Sequence, residues 1–393
     1  MSSNRKETIF ISVASYRDPV CSTTLDSIYD NAAKPENVFV GICQQNKEGD
    51  QDCLVNVDKN KKIPKDNVRI MRVDYKEAKG PTYARYLCST LYKGEEYFMQ
   101  IDSHSKFVPN WDIKCINMIK KLKEEHKVKK PLLSHYPNEI HMHKDYDEKD
   151  ENKRNNPPRI CKAFFNNRDM ISFAGAEIMN SKNQFYQTPF VSGGMFFAEG
   201  KFLKEVPYDP HLPYLFVGEE ILHSARFYTH GWDSYTPTEN IVYHEYTRSD
   251  KPKYWSDIKN YSDSKAFEKV KFLLKFHNDE SKVDEELKKD IEKYNLGKER
   301  TLDQFYDFAG IDIKDRLVRK NFCRKENKAS EEDIKNSNEK NKKIEKFILS
   351  QPGSVNFYVE IIMIILIIVI IILLVIFLIK NMKQKGKGIK SRK

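Results

Sequence analysis

The arrangement that most restricts the fold of this chain is a regular alternation of β-rich apolar runs and helix-forming segments. The β-rich runs occupy residues 8–14 (TIFISVA), 38–44 (VFVGICQ), 68–73 and 97–102 (YFMQID). Helical spacing covers residues 19–33 and 80–92, with Pro81 placed for a first helical turn. This alternation predicts an α/β fold in which a mostly parallel sheet is covered on both faces.

Polar residues follow several of these runs. In open α/β sheets ligands bind at the carboxyl ends of the strands, a rule that points to residues 15–17, 44–45 and 102–104. At the last of these, side chains alternate along the strand, so Asp102 and His104 are expected to point the same way. A carboxylate beside an imidazole suits Mn²⁺ or Mg²⁺, with phosphate oxygens as further ligands. The alternative for this D-x-H is a strand-end turn that Asp102 caps.

Two further segments carry groups suited to a diphosphate or a sugar. Arg85 lies in the helix KGPTYARYLC and could reach a phosphate, although a lone helical arginine is more often part of a surface ion pair. Gly193 and Gly194 follow a β-rich run, where they permit close approach of the backbone to a ligand or simply form a tight turn.

The chain beyond these glycines contributes two acids and a histidine. Glu219 and Glu220 precede an apolar helical pattern, where they either cap the helix or contact sugar hydroxyls and the acceptor. His244 lies at the end of a predicted strand, ahead of Arg248. It is either a third metal ligand or a structural histidine.

The charge distribution argues against a nucleic-acid partner. The formal net charge is +10, but seven lysines and arginines, with no acid, lie in residues 380–393. Without that tail the net charge is about +3, which a solvated globular surface explains without a polyanionic partner. The chain also carries no RNP, zinc-finger or helix-turn-helix signature.

A membrane anchor is predicted near the C-terminus. Residues 361–379 are nineteen apolar residues without interruption, and a helix of that length spans about 28 Å, close to the ~30 Å hydrocarbon core of a bilayer. The segment before it is rich in Lys, Glu and Asn and cannot bury enough surface to fold alone. We expect a tail (1–6), one folded domain (7–321), a charged linker (322–354), a transmembrane helix (355–380) and a basic tail (381–393).

The cysteines and the N-terminus bear on the compartment. The seven cysteines are odd in number and have no C-x-x-C spacing, and no apolar signal segment opens the chain. These features predict free, buried thiols in a reducing compartment. They favour a C-terminal tail anchor with the large domain in the cytosol, whereas the positive-inside rule would place the basic tail there.

The order of the motifs resembles that of a known family, the cytoplasmic GlcNAc-transferases that modify hydroxyproline on the Skp1 protein. The motifs are, in sequence order, IFISVASYRDP, KGPTYAR, QIDSHSKFVPNWD, SGGMFF, GEEILHSARFYTHGWD and YHEY. More distantly they look like the polypeptide GalNAc-transferases, which share an Arg-bearing helix, a D-x-H, a G-G loop and a G-G-E helix. The resemblance covers roughly residues 7–320, with KERTLDQFYDFAGID near its end.

The resemblance implies a GT-A fold, a UDP-sugar donor and retention of anomeric configuration. It implies that a divalent metal is held by Asp102, His104 and His244. The residues it assigns to the nucleotide and donor sugar are Ala14, Ser15, Tyr16, Arg17, Arg85, Gly193 and Gly194. Ser103 and Arg248 are expected to contact the donor as well. Those it assigns to catalysis are Arg85, Glu219 and Glu220. The predicted membrane helix departs from the family pattern, because the soluble members need no anchor.

Residues and resemblance together predict a metal-dependent, retaining glycosyltransferase that moves a sugar, GlcNAc by resemblance, from a UDP-sugar to a hydroxyl group on a protein or glycan. In such transfer the leaving phosphate can accept the acceptor's proton on the same face, so no dedicated carboxylate nucleophile is expected. One alternative is a non-catalytic, membrane-tethered protein that binds nucleotide sugars or carbohydrate. Another is a metal-dependent phosphohydrolase, which would need more carboxylates clustered at strand ends.

Overall fold

The structure is a computed structural model that describes residues 7–141, 157–174, 176–178, 184–248, 250–259 and 261–323. All of them lie in the first of the two units into which the chain divides, residues 1–338. The predicted N-terminal tail, transmembrane helix and basic tail, and all of the predicted linker beyond residue 323, lie outside the described residues. Among the described helices, none is long and apolar enough to cross a membrane, so the span at 361–379 stays a prediction.

The strands of the described part are numbered in chain order. They are β1 (Ile9–Tyr16), β2 (Val38–Asn46), β3 (Val68–Asp74), β4 (Tyr97–Asp102), β5 (Ser105–Phe107), β6 (Pro131–Ser134), β7 (Asn138–Glu139), β8 (Pro158–Ile160), β9 (Ala163–Phe165), β10 (Ile171–Phe173), β11 (Ala176–Ile178), β12 (Tyr186–Gln187), β13 (Met195–Glu199), β14 (Asp233–Thr236), β15 (Val242–His244), β16 (Ile311–Asp312) and β17 (Leu317–Val318).

The helices follow the same numbering. They are α1 (Cys21–Asp30), α2 (Gly80–Ser89), α3 (Trp111–Glu124), α4 (Phe202–Glu205), α5 (Glu219–Thr229), α6 (Tyr254–Asp257), α7 (Ser264–Leu273), α8 (Ile291–Tyr294) and α9 (Leu302–Ala309). The predicted elements β1 to β4, α1 and α2 are all present. Both helices are shorter than the helical spacing in the sequence suggested.

The central sheet has eight strands in the order β12-β14-β6-β13-β4-β1-β2-β3. Its β3, β2, β1 and β4 are parallel neighbours. Strand β13 then inserts antiparallel between β4 and β6, β14 is parallel to β6, and β12 is an antiparallel edge. The sheet is therefore mostly parallel, as predicted, but mixed, because β13 and β12 run against the rest.

Apolar side chains cover both faces of this sheet. On β1, Ile9, Ile11 and Val13 belong to a cluster that includes residues of α1 and α3, whereas Phe10 belongs to a separate cluster with Phe227 of α5. Strands β4 and β13 divide between the same two clusters, as the period of two requires. A one-residue slip would exchange the two faces, so this packing fixes the register of the strands that carry the site.

A second core joins the last described helices to the domain. It packs α5, α7 and α9 together through buried residues such as Leu222, Val270 and Phe305. Phe322 belongs to this core, and its backbone N–H donates to the carbonyl of Cys161 at 2.8 Å. The folded part therefore continues past residue 321, where the sequence had placed the start of the linker.

The cysteines correct one prediction. Cys21 pairs with Cys53 and Cys161 with Cys323, each with Cα atoms 5.0 Å apart, so these four are not the free thiols that were expected. The other three, Cys43, Cys88 and Cys115, are free and buried. The partners lie 32 and 162 residues apart, and only the folded topology brings them together.

Candidate functional site

The candidate site lies where β1 and β4 end. The two strands are parallel neighbours, and Ala14 of β1 stands opposite Asp102, the last residue of β4. The carboxyl end of β1 and the D-x-H motif are thus placed side by side by the register of the sheet. A second, smaller sheet, β5-β15-β7, meets the same place. In it His244 ends β15 and pairs with Ser105.

Asp102, His104 and His244 come together in this corner. One potential ligand atom from each of the three lies within 4.8 Å of the others. Oδ2 of Asp102 is 3.1 Å from Nε2 of His244, and the two imidazole rings have centroids 4.5 Å apart. The sequence predicted this group although His244 lies 142 residues from Asp102, and the pairing of β15 with β5 accounts for the contact.

The chemistry of this group fits a divalent cation. Burial would raise the pKa of Asp102, but the hydrogen bond with His244 and the positive charge of Arg85 outweigh it, so that the pKa lies below its ordinary value. The carboxylate is therefore ionised at neutral pH. Nδ1 of His244 is buried without a hydrogen-bond partner among the described residues. One carboxylate and two imidazoles are donors that first-row divalent metals accept.

Arg85 connects this group to α5. From α2, its buried guanidinium donates hydrogen bonds to Asp102, at 3.0 Å, and to Glu219. Burial would lower the pKa of Arg85, but the charges of Glu219 and Asp102 raise it above its ordinary value. The arginine is thus not a surface ion pair. It is a buried positive charge held between two acids, Asp102 and Glu219.

Glu220 plays a different part from Glu219. Its carboxylate accepts hydrogen bonds from the backbone N–H of Gly193 at 2.8 Å and from the hydroxyl of Tyr136 at 2.6 Å. Burial raises its pKa to about 7. A Cβ added at Gly193 would lie 3.3 Å from Nη1 of Arg85, tighter than most real contacts. The glycine loop therefore lies directly against the charged group, held there by Glu220.

The residues at the end of β1 are held by contacts with later segments. Ser15 is buried. The Tyr16 hydroxyl donates to Asp257 of α6 at 2.9 Å, and Arg17 forms ion pairs with Asp257 at 2.9 Å and with Asp50 at 2.8 Å. The segment that contains α6 is thus tied to the strand end that the resemblance assigns to the nucleotide.

Ser103 and Arg248 both face a residue that sequence reasoning missed. The Ser103 hydroxyl donates to Oδ2 of Asp18 at 2.5 Å, and Nη1 of Arg248 lies 3.2 Å from the same oxygen. Asp18 sits within the SYRDP motif, but an acid just before a helix suggests only a cap. Tyr136 and Asp257 were also missed, because nothing in their local sequence signals contact with the site.

Comparison with known proteins places this site in context. The sequence model of the family described as Glycosyltransferase (GlcNAc) matches residues 8–63 and 56–315. No curated protein matches the chain in sequence.

Two solved structures are similar in part. A crystal structure of GalNAc-T7 with UDP, GalNAc and Mn²⁺ aligns with a TM-score of 0.52 at 16% identity, over 80% of this chain and 59% of that one. S. aureus TarS in complex with UDP-GlcNAc aligns with a TM-score of 0.42 at 14% identity, over 68% of this chain and 65% of that one. The likeness to GalNAc-T7 is one of fold, a mixed α/β fold of the GT-A kind. This chain spans less than two thirds of either.

Proposed function

The chain belongs to the Glycosyltransferase (GlcNAc) family, and on that premise we propose that it transfers a sugar, GlcNAc, from a UDP-sugar to a hydroxyl group of an acceptor. The observation that carries the proposal is the meeting of Asp102, His104 and His244 within 4.8 Å of one another. They meet beside the Gly193 loop and the carboxyl end of β1. A nucleotide-diphospho-sugar needs such features: a cation for its diphosphate, a glycine backbone that its sugar can approach closely, and the carboxyl ends of strands, where ligands of α/β sheets bind.

The donor is proposed from the family and from the layout of the site. The family description names GlcNAc, which supports GlcNAc over GalNAc or glucose. Ala14, Ser15, Tyr16 and Arg17 at the end of β1 are proposed to face the nucleotide. Gly193, packed against Arg85, and Gly194, packed against Asp102, are proposed to face the sugar.

Asp102, His104 and His244 would hold the cation. A divalent metal bound there would stabilise the negative charge that develops on the leaving diphosphate. The two imidazoles favour Mn²⁺ over Mg²⁺, which prefers oxygen ligands. Fixed in position by Asp102 and Glu219, Arg85 adds a permanent positive charge for the diphosphate.

The two glutamates are proposed to position rather than attack. Glu219 is bound to Arg85, and both oxygens of Glu220 accept hydrogen bonds, from Gly193 and Tyr136. These contacts give both carboxylates a positioning role, and retaining transfer on one face is proposed from the resemblance. In that mechanism the acceptor oxygen bonds to the anomeric carbon while the leaving phosphate takes up the acceptor's proton.

The acceptor is proposed by resemblance alone. A hydroxyproline-like hydroxyl on a protein would continue the likeness to the enzymes that modify the Skp1 protein. A hydroxyl group on a glycan is the other class of acceptor.

The experiment is a turnover assay on the purified full-length chain with labelled UDP-GlcNAc, UDP-GalNAc and UDP-glucose. We expect release of UDP that requires Mn²⁺, is fastest with UDP-GlcNAc, and rises with a hydroxyproline peptide but not with its proline counterpart. Asp102→Ala should abolish it. Binding of UDP-GlcNAc without any turnover, in the presence of Mn²⁺, would instead favour the non-catalytic binding protein.

The disulfides call for a new proposal about the compartment of the catalytic domain, which the sequence had placed in the cytosol. That prediction depended partly on free thiols, and four cysteines are paired. Disulfides persist in oxidising compartments, and the positive-inside rule places the basic residues of 380–393 in the cytosol. We infer that the predicted C-terminal span is a single-pass anchor with the catalytic domain on the oxidising side.

A further inference from the structure

Asp18 lies between β1 and α1, and its side chain is fully buried. Its Oδ2 accepts hydrogen bonds from Ser103 Oγ at 2.5 Å and from His104 Nδ1 at 2.8 Å. Its Oδ1 accepts from the backbone N–H of Val20 at 3.1 Å. Arg248 Nη1 donates to Oδ1 at 3.3 Å and lies 3.2 Å from Oδ2. One carboxylate thus gathers donors from three separate parts of the chain.

The local turn at Val20 explains only part of this arrangement. The turn that leads into α1 needs a single acceptor, and Oδ1 supplies it through Val20. A carboxylate buried only for that purpose would carry an unnecessary charge, which is costly away from water unless it is paired. The contacts of Oδ2, and the charge of Arg248 beside both oxygens, therefore need another explanation. What Oδ2 adds is a contact with His104.

We propose that Asp18 is a positioning residue that fixes the tautomer and orientation of His104 at the proposed metal site. An ionised carboxylate only accepts hydrogen bonds, so the proton of the neutral imidazole must lie on Nδ1. This leaves Nε2 as the nitrogen with a lone pair for a cation shared with Asp102 and His244. Metal-binding histidines commonly donate their other N–H to a carboxylate, which orients the ring and makes the ligand nitrogen more basic.

Ser103 and Arg248 act through Asp18 in this arrangement. Both were expected to contact the donor, but in the structure their polar groups reach Asp18. Arg248 balances the buried charge and Ser103 fixes the position of Oδ2. The inference rests on the proposed metal site, and it assigns Asp18 no contact with the donor.

Mn²⁺ binding to the purified full-length chain, followed by the EPR signal of free Mn²⁺ without nucleotide, tests the role. Asp18→Ala removes the carboxylate and should weaken binding by about 10- to 100-fold. Asp18→Asn keeps the size and one acceptor oxygen, so it should weaken binding less. The matched control is Asp112→Asn, a buried carboxylate that accepts the backbone N–H groups of Ala33 and Lys34. It should lower the unfolding temperature and leave Mn²⁺ affinity unchanged.

The outcomes separate this inference from the proposed function. A folded Asp18→Ala variant with wild-type Mn²⁺ affinity overturns the positioning role and leaves the proposed function standing. A wild-type chain that binds no Mn²⁺ overturns both. Where the variants do not fold, long-range ¹H–¹⁵N NMR of the wild-type protein decides, with His104 assigned from His104→Gln. A neutral ring protonated on Nδ1 supports the proposal, and one protonated on Nε2 overturns it.

Discussion

Arg85 connects the proposed metal group with the acids of α5. It donates hydrogen bonds to Asp102 at 3.0 Å and to Glu219, and both Arg85 and Glu219 are buried. Removing one member of a buried ion pair leaves the other charge uncompensated, at a cost of about 3–5 kcal/mol. We expect Arg85→Met to lower the free energy of unfolding by about that much in urea denaturation followed by tryptophan fluorescence.

A double-variant cycle separates this pairing from simple loss of packing. Glu219→Leu alone should also destabilise, because it leaves Arg85 with only Asp102. The variant that carries both Arg85→Met and Glu219→Leu should be more stable than the sum of the two losses implies, since neither charge of that pair remains. Strictly additive losses would contradict the coupling.

Glu220 predicts a pH dependence with a definite sign. Its pKa is raised from 4.5 to about 7 by burial, so between these values the folded protein keeps a proton that the unfolded chain releases. Stability from this group is fully present below pH 4.5 and is lost as pH rises to about 7. Glu220→Gln should therefore gain stability relative to wild type between pH 5 and 8, by about 1–3 kcal/mol. A difference in melting temperature that stays constant with pH would contradict it.

At the scale of elements, the sequence predicts the buried strands well and the distant pairings poorly. Strands β1, β2 and β4 are found where the apolar runs placed them, because parallel strands buried on both faces read as near-continuous apolar segments. Strand β3 is also found, although it is a half-exposed edge strand. The insertion of β13 between β4 and β6 leaves no such signal, since it depends on packing between segments far apart in the chain. The pairing of β15 with β5 likewise depends on packing between segments far apart in the chain.

The residues of the candidate site also fall into those that the sequence could predict and those that it could not. Asp102 and His104 could be predicted because they follow a recognisable strand, and His244 was reached only through the order of motifs. Asp18 could not be assigned, because its hydrogen bond with Val20 is local whereas its hydrogen bond with His104 spans 86 residues. Local patterns predict which elements form, and tertiary contacts decide which side chains share a site.

The Cys161–Cys323 disulfide ties the last described segment to the short connection between β8 and β9. A disulfide that closes a long loop typically contributes about 2–4 kcal/mol, here with a separation of 162 residues. We expect Cys323→Ala to open this segment locally and to speed tryptic cleavage at Arg319 and Lys320, measured by mass spectrometry. Cys115→Ala, which removes a buried thiol outside any disulfide, should leave cleavage at these two sites at the wild-type rate.

For the molecule as a whole, the two disulfides join parts of the fold that are distant in sequence. Cys21–Cys53 fixes the start of α1 to the loop after β2, beside Asp18 and Ser15. Cys161–Cys323 holds the C-terminal end of the second core. Cys21, Cys53 and Cys161 are buried and Cys323 is partly buried, so we expect the pairs to form while the chain folds in an oxidising environment. The state of the cysteines therefore reports the compartment in which the domain folds.

Counting thiols decides whether the domain folds in such a compartment. Full-length protein from its native source, denatured in iodoacetamide without reductant, should be alkylated at three of its seven cysteines, Cys43, Cys88 and Cys115. After reduction all seven should react, and peptide mapping should show the newly labelled sites to be Cys21, Cys53, Cys161 and Cys323. Alkylation of all seven without reductant would mean a reducing compartment, and the cytosolic placement would regain its support. Protease added to sealed membranes provides the independent check, because a domain on the oxidising side of an internal membrane is protected until detergent is added.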